Sequence, residues 1–213
     1  MGDTPQDWSE ANRRWWDERV PIHLASDFYD VEGFRAGRSS LLDFEVAELG
    51  PVSGRSLVHL QCHVGLDTLS WARLGALVTG LDFSAPAVKA ARELASSIGQ
   101  PATFVAGDVY QAPALLRERY DIVYTGKGAL CWLPDLEAWA DVVVTLLRPG
   151  GALYVLEFHP FTDVFGDEDL TVGTRYFHTS QPLVWDTPGS YVDREAATTH
   201  NRTNEWGIPW GRW

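Results

Sequence analysis

The stretch SLVHLQCHVGLDTLSWARLGALVTGLDFS, residues 56–84, decides the fold of this chain. Its first apolar run, residues 57–60, predicts a buried parallel strand, and the helical pattern that follows stops at Gly75, because a residue with positive φ usually ends a helix. A second apolar run, residues 77–81, ends on Asp82. The pattern predicts a strand–helix–strand unit with a ligand crevice at the carboxyl ends of its strands.

The turn after the first strand narrows the class of ligand. A dinucleotide-binding turn uses three glycines to bring its backbone close to a pyrophosphate. Residues 61–65, QCHVG, contain only one glycine. Asp82, in contrast, can accept hydrogen bonds from both hydroxyl groups of an adenosine ribose. The crevice is therefore predicted to bind a nucleoside that carries no diphosphate.

Helical and apolar patterns alternate on either side of this unit. They predict an α/β fold: a doubly wound parallel sheet with helices on both faces. Residues 21–37 have no clear period, and we interpret them as a loop or short helices that cover the crevice. Beyond residue 160, two extended segments flank a turn-rich DTPG and predict a β-hairpin at residues 175–185 and 198–206. The other predicted helices are residues 5–21, 39–49, 85–98 and 134–147, and the other predicted strands are residues 102–105, 121–125 and 152–158.

The composition excludes several functions. A formal net charge of -12 and a pI near 4.8 argue against a nucleic-acid partner, since phosphate binding relies on clustered Lys and Arg. Cys62 and Cys131 are too few for a disulfide framework and lack metal-ligand spacing, which fits a reduced cytosol. No apolar run approaches the roughly 20 residues that span a bilayer. We therefore expect a cytoplasmic protein with no membrane segment and no metal site.

Five motifs in order along the chain resemble those of the class I S-adenosylmethionine-dependent methyltransferases, in their small-molecule branch. They are HLQCHVG at residues 59–65, LDFS at 81–84, GDV at 107–109, YDIVYTGKGAL at 120–130 and LRPGG at 147–151. The resemblance implies a Rossmann-like cofactor domain at residues 37–160. Residues 1–36 would then form an N-terminal helix and covering segment, and residues 161–213 a hairpin or lid.

Two departures from the family pattern matter. Gln61, Cys62 and His63 stand where the family has an acidic residue and paired glycines, so their side chains point away from the cofactor or help to hold it. The family's usual sheet has seven strands, of which the last two form a reversed pair at one edge, and no such pair is predicted here. We therefore expect a truncated chain that lacks the last strands, with an uncovered sheet edge that favours a homodimer.

The resemblance implies S-adenosylmethionine as the cofactor. Asp82 suits its ribose diol and Asp108 its adenine amino group, while Phe83 and Val109 can sandwich the purine ring.

At the other end of the cofactor, Arg38 is predicted to bind the methionine carboxylate and Tyr29 to cover the sulfonium as a cation–π partner. A surface charge and a plain packing role are the open alternatives for these two residues. The full predicted cofactor set is Tyr29, Arg38, Gln61, Cys62, Gly65, Asp82, Phe83, Ser84, Gly107, Asp108, Val109, Thr125 and Gly126.

The resemblance implies methyl transfer to a small organic acceptor. A hydroxyl or carbon acceptor also needs a group that removes a proton, and His159, after the last predicted strand, is the predicted base. His23, His178 and His200 are alternatives. Two other functions stay open: a non-catalytic remnant that binds S-adenosylmethionine or S-adenosylhomocysteine, and a nicotinamide-dependent oxidoreductase. The single glycine in the first turn and the Asp108 motif argue against the oxidoreductase.

Overall fold

A computed structural model describes residues 4–159, 161, 164–165, 170–173 and 181–207. Its main sheet has 5 strands, all parallel, in the order β3-β2-β1-β4-β5. The order reverses between β1 and β4, which confirms the predicted doubly wound α/β fold. The strands are β1 (Ser56–Leu60), β2 (Leu77–Asp82), β3 (Thr103–Ala106), β4 (Tyr120–Gly126) and β5 (Leu147–Leu156).

Helices cover both faces of this sheet, because alternate residues of each strand point to opposite sides. In β1, Val58 and Leu60 pack in a cluster with Trp139, whereas Leu57 packs on the other side with Trp71. The helices are α1 (Pro5–Ala25), α2 (Val31–Arg35), α3 (Asp43–Leu49), α4 (Leu66–Arg73), α5 (Ala85–Ser97), α6 (Ala112–Leu116) and α7 (Leu136–Leu146).

The first helix is longer than predicted. Thr4 and Asp7 form a capping box at its start, with Pro5 in the first turn, as the sequence suggests. However, α1 continues through Pro21 to Ala25. The turn beyond Pro21 carries His23, whose side chain is fully buried and bonded through both ring nitrogens. These tertiary contacts outweigh the hydrogen bond that a proline removes from a helix.

Two further boundaries differ from the predictions. Helix α3 begins at Asp43 and not at residue 39, because the N–H of Ser40 donates to Ser70 Oγ (3.1 Å) and leaves the helical path. Strand β5 begins at Leu147 and not at residue 152. The LRPGG segment forms an irregularity inside the strand, where the register shifts between Tyr120 and Ile122 of β4.

The predicted hairpin is present as a separate sheet of 2 antiparallel strands, β6 (Leu183–Asp186) and β7 (Arg202–Glu205). It packs against α1: the side-chain amide of Asn12 donates to the Asn204 carbonyl (2.7 Å), and the Asn204 N–H donates to Asn12 Oδ1 (2.8 Å). Part of the predicted first arm, residues 175–180, lies outside the described residues.

In the described ranges, no helix has the length and apolar character that a membrane crossing needs. The divisions after residues 36 and 160 stay predictions.

Candidate active site

A wide cleft of about 2160 Å³ lies at the carboxyl ends of the strands. The first turn of the sheet, α1, the loop after β4 and the C-terminal hairpin form its walls. Its floor is the point where the strand order reverses, which is where open α/β sheets bind ligands. The structure brings most of the predicted cofactor set to this cleft: Tyr29, Arg38, Gln61, Cys62, Gly65, Asp82, Phe83, Asp108, Val109 and Gly126 all line it.

Three predicted residues do not line the cleft, and each has a structural role. Ser84 is fully buried and caps α5, since its Oγ accepts from the Ala87 N–H. The Thr125 hydroxyl donates to the Leu60 carbonyl (3.2 Å) and ties β4 to β1. The N–H of Gly107 donates to the Asp82 carbonyl (2.8 Å). These residues shape the site without facing a ligand.

Two residues of the turn after β1 have positive φ although neither is a glycine. Gln61 (φ 59) and His63 (φ 48) both lie in the left-handed region, which costs a non-glycine residue roughly 1–2 kcal/mol. The side-chain amide of Gln61 donates to the Ala129 carbonyl (2.7 Å), while its Oε1 is buried and has no hydrogen-bond partner among the described residues. Cys62 is buried, and burial raises the pKa of its thiol. It packs as a small apolar residue.

The side chain of His63 ties this turn to distant parts of the chain. His63 Nε2 lies 2.8 Å from His23 Nδ1 in α1, and His23 Nε2 lies 2.8 Å from Ser190 Oγ near the hairpin. Burial lowers the pKa of His63 to about 3 and that of His23 to about 4. Both rings are therefore neutral near pH 7. The hydrogen-bonded row His63–His23–Ser190 joins the turn after β1 to α1 and to the segment before the hairpin's second strand.

Asp82 is the most heavily buried acid of the predicted set, with 5% of its surface exposed. Its Oδ2 accepts from the His63 N–H (2.7 Å) and its Oδ1 from the Ser84 N–H (2.8 Å). Burial nevertheless raises the pKa of Asp82 to about 6. Since each carboxylate oxygen has two acceptor positions, both oxygens can still accept a ribose hydroxyl.

The residues predicted to bind adenine line the cleft, and that role stays a prediction. Asp108 and Val109 follow β3, the neighbour of β2 in the sheet. One oxygen of Asp108, Oδ1, accepts from the Tyr110 N–H (2.9 Å) and caps the short turn Val109–Gln111.

Around the other end of the cleft, sequence reasoning missed the principal charged residues. Arg38, the predicted carboxylate ligand, pairs with Asp30 (2.8 Å) and is half-exposed at the rim. Deeper in, Lys127 Nζ lies 3.0 Å from Asp67 Oδ2 and 3.2 Å from Glu45 Oε2. In the sequence, the only sign of this cluster of Lys127, Asp67 and Glu45 was the position of Lys127 directly after β4.

Tyr29 covers the cleft between these two ends. Its ring stacks on His23 (5.1 Å between centroids, 14° between planes), and its hydroxyl hydrogen-bonds the Tyr191 hydroxyl. Burial, then Tyr191 and then the carboxylates of Asp67 and Asp82 raise the pKa of Tyr29 above its usual value. Tyr29, Asp67 and Asp82 all line the same cleft.

The structure places the predicted base at the surface. His159 is exposed, its Nδ1 accepts from the Phe161 N–H (3.2 Å), and it is absent from the described lining of the cleft. Its neighbours Glu157 and Phe158 line the cleft, and the catalytic role of His159 stays a prediction. Of the alternatives, His178 lies outside the described residues and His200 is exposed, whereas His23 is bonded as above.

The tryptophans divide between two roles. Trp8, Trp71 and Trp139 are buried in the core. Trp16 and Trp132, with Trp15, line the cleft and contact one another, with ring centroids 5.1–5.6 Å apart. An aromatic wall of this kind suits an organic ligand.

These residues fit S-adenosylmethionine. The carboxylate of Asp82 offers acceptor oxygens to a diol, several aromatic side chains line the cleft, and the buried Oε1 of Gln61 is an acceptor with no partner in the described ranges. Over the described residues, no group of three or more side chains is arranged to hold a metal ion.

Comparison with known proteins agrees with this geometry. Residues 58–153 match a family model described as a methyltransferase domain. A ubiquinone biosynthesis O-methyltransferase from Photorhabdus laumondii is 30% identical over 141 residues, which are 66% of this chain and 55% of the relative. The enzyme of the same name from Cupriavidus pinatubonensis is 30% identical over 154 residues, 70% of this chain and 55% of the relative. The chain spans about half the length of the curated relatives it matches.

Solved structures show the same fold. A complex of DhpI with SAH superposes with a TM-score of 0.60 at 18% identity, over 97% of this chain and 82% of that one. The phosphoethanolamine N-methyltransferase 1 of Haemonchus contortus superposes with a TM-score of 0.57 at 16% identity, over 73% of this chain and 33% of that one.

Proposed function

Because this chain belongs to the class I S-adenosylmethionine-dependent methyltransferases, we propose that it transfers a methyl group from S-adenosylmethionine to a small organic acceptor. The observation that carries the proposal is the buried carboxylate of Asp82 at the end of β2. It lies beside a turn whose positions 61 and 63 carry side chains, and it therefore suits a ribose better than a pyrophosphate.

When bound, S-adenosylmethionine supplies a methyl carbon already activated by the sulfonium, so the protein chiefly orients the two reactants. Asp82 and Asp108 orient the adenosine part. Tyr29 covers the middle of the cleft, where its ring can face a sulfonium. The aromatic wall of Trp16 and Trp132 limits water and offers flat apolar surface to an acceptor.

The test is calorimetric titration of S-adenosylmethionine into the protein, with NAD as the control ligand, followed by incubation with labelled S-adenosylmethionine and a panel of phenols, amines and carboxylic acids. We expect binding of S-adenosylmethionine alone and label transfer to at least one acceptor. Binding without transfer to any acceptor would favour the non-catalytic alternative. Binding of NAD in its place would contradict the proposal.

Cofactor affinity should depend on pH through Asp82. Burial raises its pKa to about 6, and only the ionised carboxylate can accept both ribose hydroxyls. Affinity is therefore full above about pH 7 and falls as the pH drops through the pKa of the free protein. At pH 5 about one tenth of Asp82 is ionised, so the dissociation constant should rise about tenfold from its value at pH 7.5. Titrations across this range measure it, and a constant affinity would contradict the assignment.

The net charge of -12 supports the further proposal that the acceptor is not a nucleic acid. Cys62 and Cys131 are not joined in a disulfide, which supports the proposal that the protein works in the cytoplasm as a soluble enzyme. In the described sheet, β5 is an edge strand with Leu153 and Val155 exposed, which supports the proposal of a homodimer.

A further inference from the structure

The methionine end of the proposed cofactor carries an ammonium and a carboxylate, and the structure contains a charged group that the sequence did not indicate. It consists of Glu45, Asp67, Tyr124 and Lys127, at the end of the cleft opposite the adenine side. Glu45 is fully buried, Lys127 Nζ bridges Glu45 Oε2 (3.2 Å) and Asp67 Oδ2 (3.0 Å), and the Tyr124 hydroxyl donates to Glu45 Oε1 (2.6 Å). Two carboxylates with one ammonium leave the group with one net negative charge.

Asp67 is the member of this group that faces a ligand. It lines the cleft from the first turn of α4, and 17% of its side chain is exposed. Its Oδ2 accepts from Lys127 and lies 3.5 Å from the Tyr124 hydroxyl oxygen, whose proton goes to Glu45, whereas its Oδ1 has no hydrogen-bond partner among the residues that the structure describes. Lys127 also donates to the Ser40 carbonyl (3.0 Å), so its ammonium group has three oxygen partners: Asp67, Glu45 and Ser40.

A second, independent observation points to a donor in the same cleft. Gln61, directly after β1, lines the cleft, and its buried Oε1 has no hydrogen-bond partner within the part of the chain that the structure describes. An orphaned buried acceptor is costly, and native structures commonly satisfy it with a ligand or water. A carboxylate oxygen and an amide oxygen together suit a group with several N–H donors and a positive charge.

Tyr29 indicates the expected direction of the cofactor. It lines the same cleft as Asp67 and Asp82. With the ribose at Asp82 and Tyr29 over the sulfonium, the methionine chain would run toward Asp67.

The residue at the start of the first motif cannot take this role. His59 is buried, its Nδ1 lies 2.8 Å from Thr68 Oγ1, and burial lowers its pKa to about 3. A neutral imidazole held by a threonine does not attract a cation. The negative charge at this end of the cleft comes from Asp67 and its neighbours instead.

We propose that Asp67 and Gln61 bind the ammonium group of the methionine end of S-adenosylmethionine, with the side chain of Asp67 oriented by Lys127. This inference rests on the proposed function, since it assigns a role at the same cofactor site.

The test compares two probes, S-adenosylhomocysteine and 5′-methylthioadenosine, which lacks the amino-acid end. Asp67→Asn keeps the shape of the side chain and removes its charge. We expect this variant to bind S-adenosylhomocysteine about 10- to 100-fold more weakly than the unmodified protein, the range for one lost charge-assisted hydrogen bond. Its affinity for 5′-methylthioadenosine should be unchanged, which also shows that the variant is folded.

Glu48→Gln is the matched control. Glu48 lies on α3 outside the described lining, where it accepts from the Tyr154 hydroxyl (2.8 Å), and the substitution makes the same change in charge. It should leave both affinities unchanged.

Three outcomes would overturn the inference while the proposed function stands. The first is that the unmodified protein binds both probes equally. The second is that Asp67→Asn keeps the preference for S-adenosylhomocysteine, and the third is that Asp67→Asn loses affinity for both probes together. If Asp67→Asn melts far below the unmodified protein, Asp67→Ser is titrated in its place with the same expectation. Failure of the unmodified protein to bind S-adenosylhomocysteine, 5′-methylthioadenosine and S-adenosylmethionine would overturn the proposed function and this inference together.

Discussion

Asp82→Ala is expected to weaken S-adenosylmethionine binding at least about 100-fold, because it removes a buried acceptor for two ribose hydroxyls, and a hydrogen bond to a charged group contributes about 1.5–3 kcal/mol. The effect has a second source in the structure. The carboxylate also accepts from the N–H groups of His63 and Ser84, so its loss loosens the turn that faces the cofactor. Titration calorimetry measures the affinity directly.

The stability of the fold should change much less than the affinity. Asp82 is buried, and the raised pKa shows that its charge is held at a cost, which offsets part of the lost hydrogen bonding. Asp141→Ala, on the exposed side of α7, is the control for an aspartate-to-alanine change away from the cleft. An Asp82→Ala protein that binds S-adenosylmethionine as tightly as the Asp141→Ala protein would remove Asp82 from the site.

Gly65→Ala should destabilise the fold by about 2–5 kcal/mol. Gly65 has φ +78, which costs an alanine about 1–2 kcal/mol, and its added Cβ would lie 2.7 Å from the Phe104 ring and 3.0 Å from Ala91 Cβ. Overpacking of a filled core costs a further 1–3 kcal/mol or so. Thermal unfolding should show a midpoint lowered by roughly 5–15 °C.

Gly99→Ala separates the two contributions. Gly99 has a similar φ of +65, but a Cβ there meets nothing within 4 Å, so only the backbone cost of about 1–2 kcal/mol applies. The difference between the two variants measures the contact of the first turn with α5 and β3. Equal destabilisation would show that Gly65 is needed for its backbone conformation alone.

The three positions of the first turn also show what a sequence pattern can and cannot reveal. Gln61, His63 and Gly65 all have positive φ. Only at Gly65 does a neighbouring ring exclude a Cβ, whereas the side chains of Gln61 and His63 find hydrogen-bond partners. In the sequence, Gln61 and His63 are a departure from the family's glycines. In the structure, both residues adopt positive φ and their side chains form hydrogen bonds.

The order of strands and helices, the hairpin, and the placement of Asp82 and Asp108 at strand ends followed from the sequence alone. These features depend on contacts between neighbours along the chain: the alternation of apolar residues, helix caps, and turns that a parallel sheet requires. Local patterns of this kind are complete within a window of 10 to 20 residues or so. The five family motifs then identified the edge of the sheet at which a ligand binds.

Only the tertiary structure decided the extension of α1 beyond Pro21, the exposure of His159 and the charged group around Lys127. Each depends on residues far apart in sequence: His23 meets Ser190 across 167 positions, and Lys127 meets Asp67 across 60. No period or spacing encodes such a pairing, because it exists only once the strands are in register and the helices are packed. The fold class was therefore readable from local chemistry, while the choice of side chains that face the cofactor required the assembled cleft.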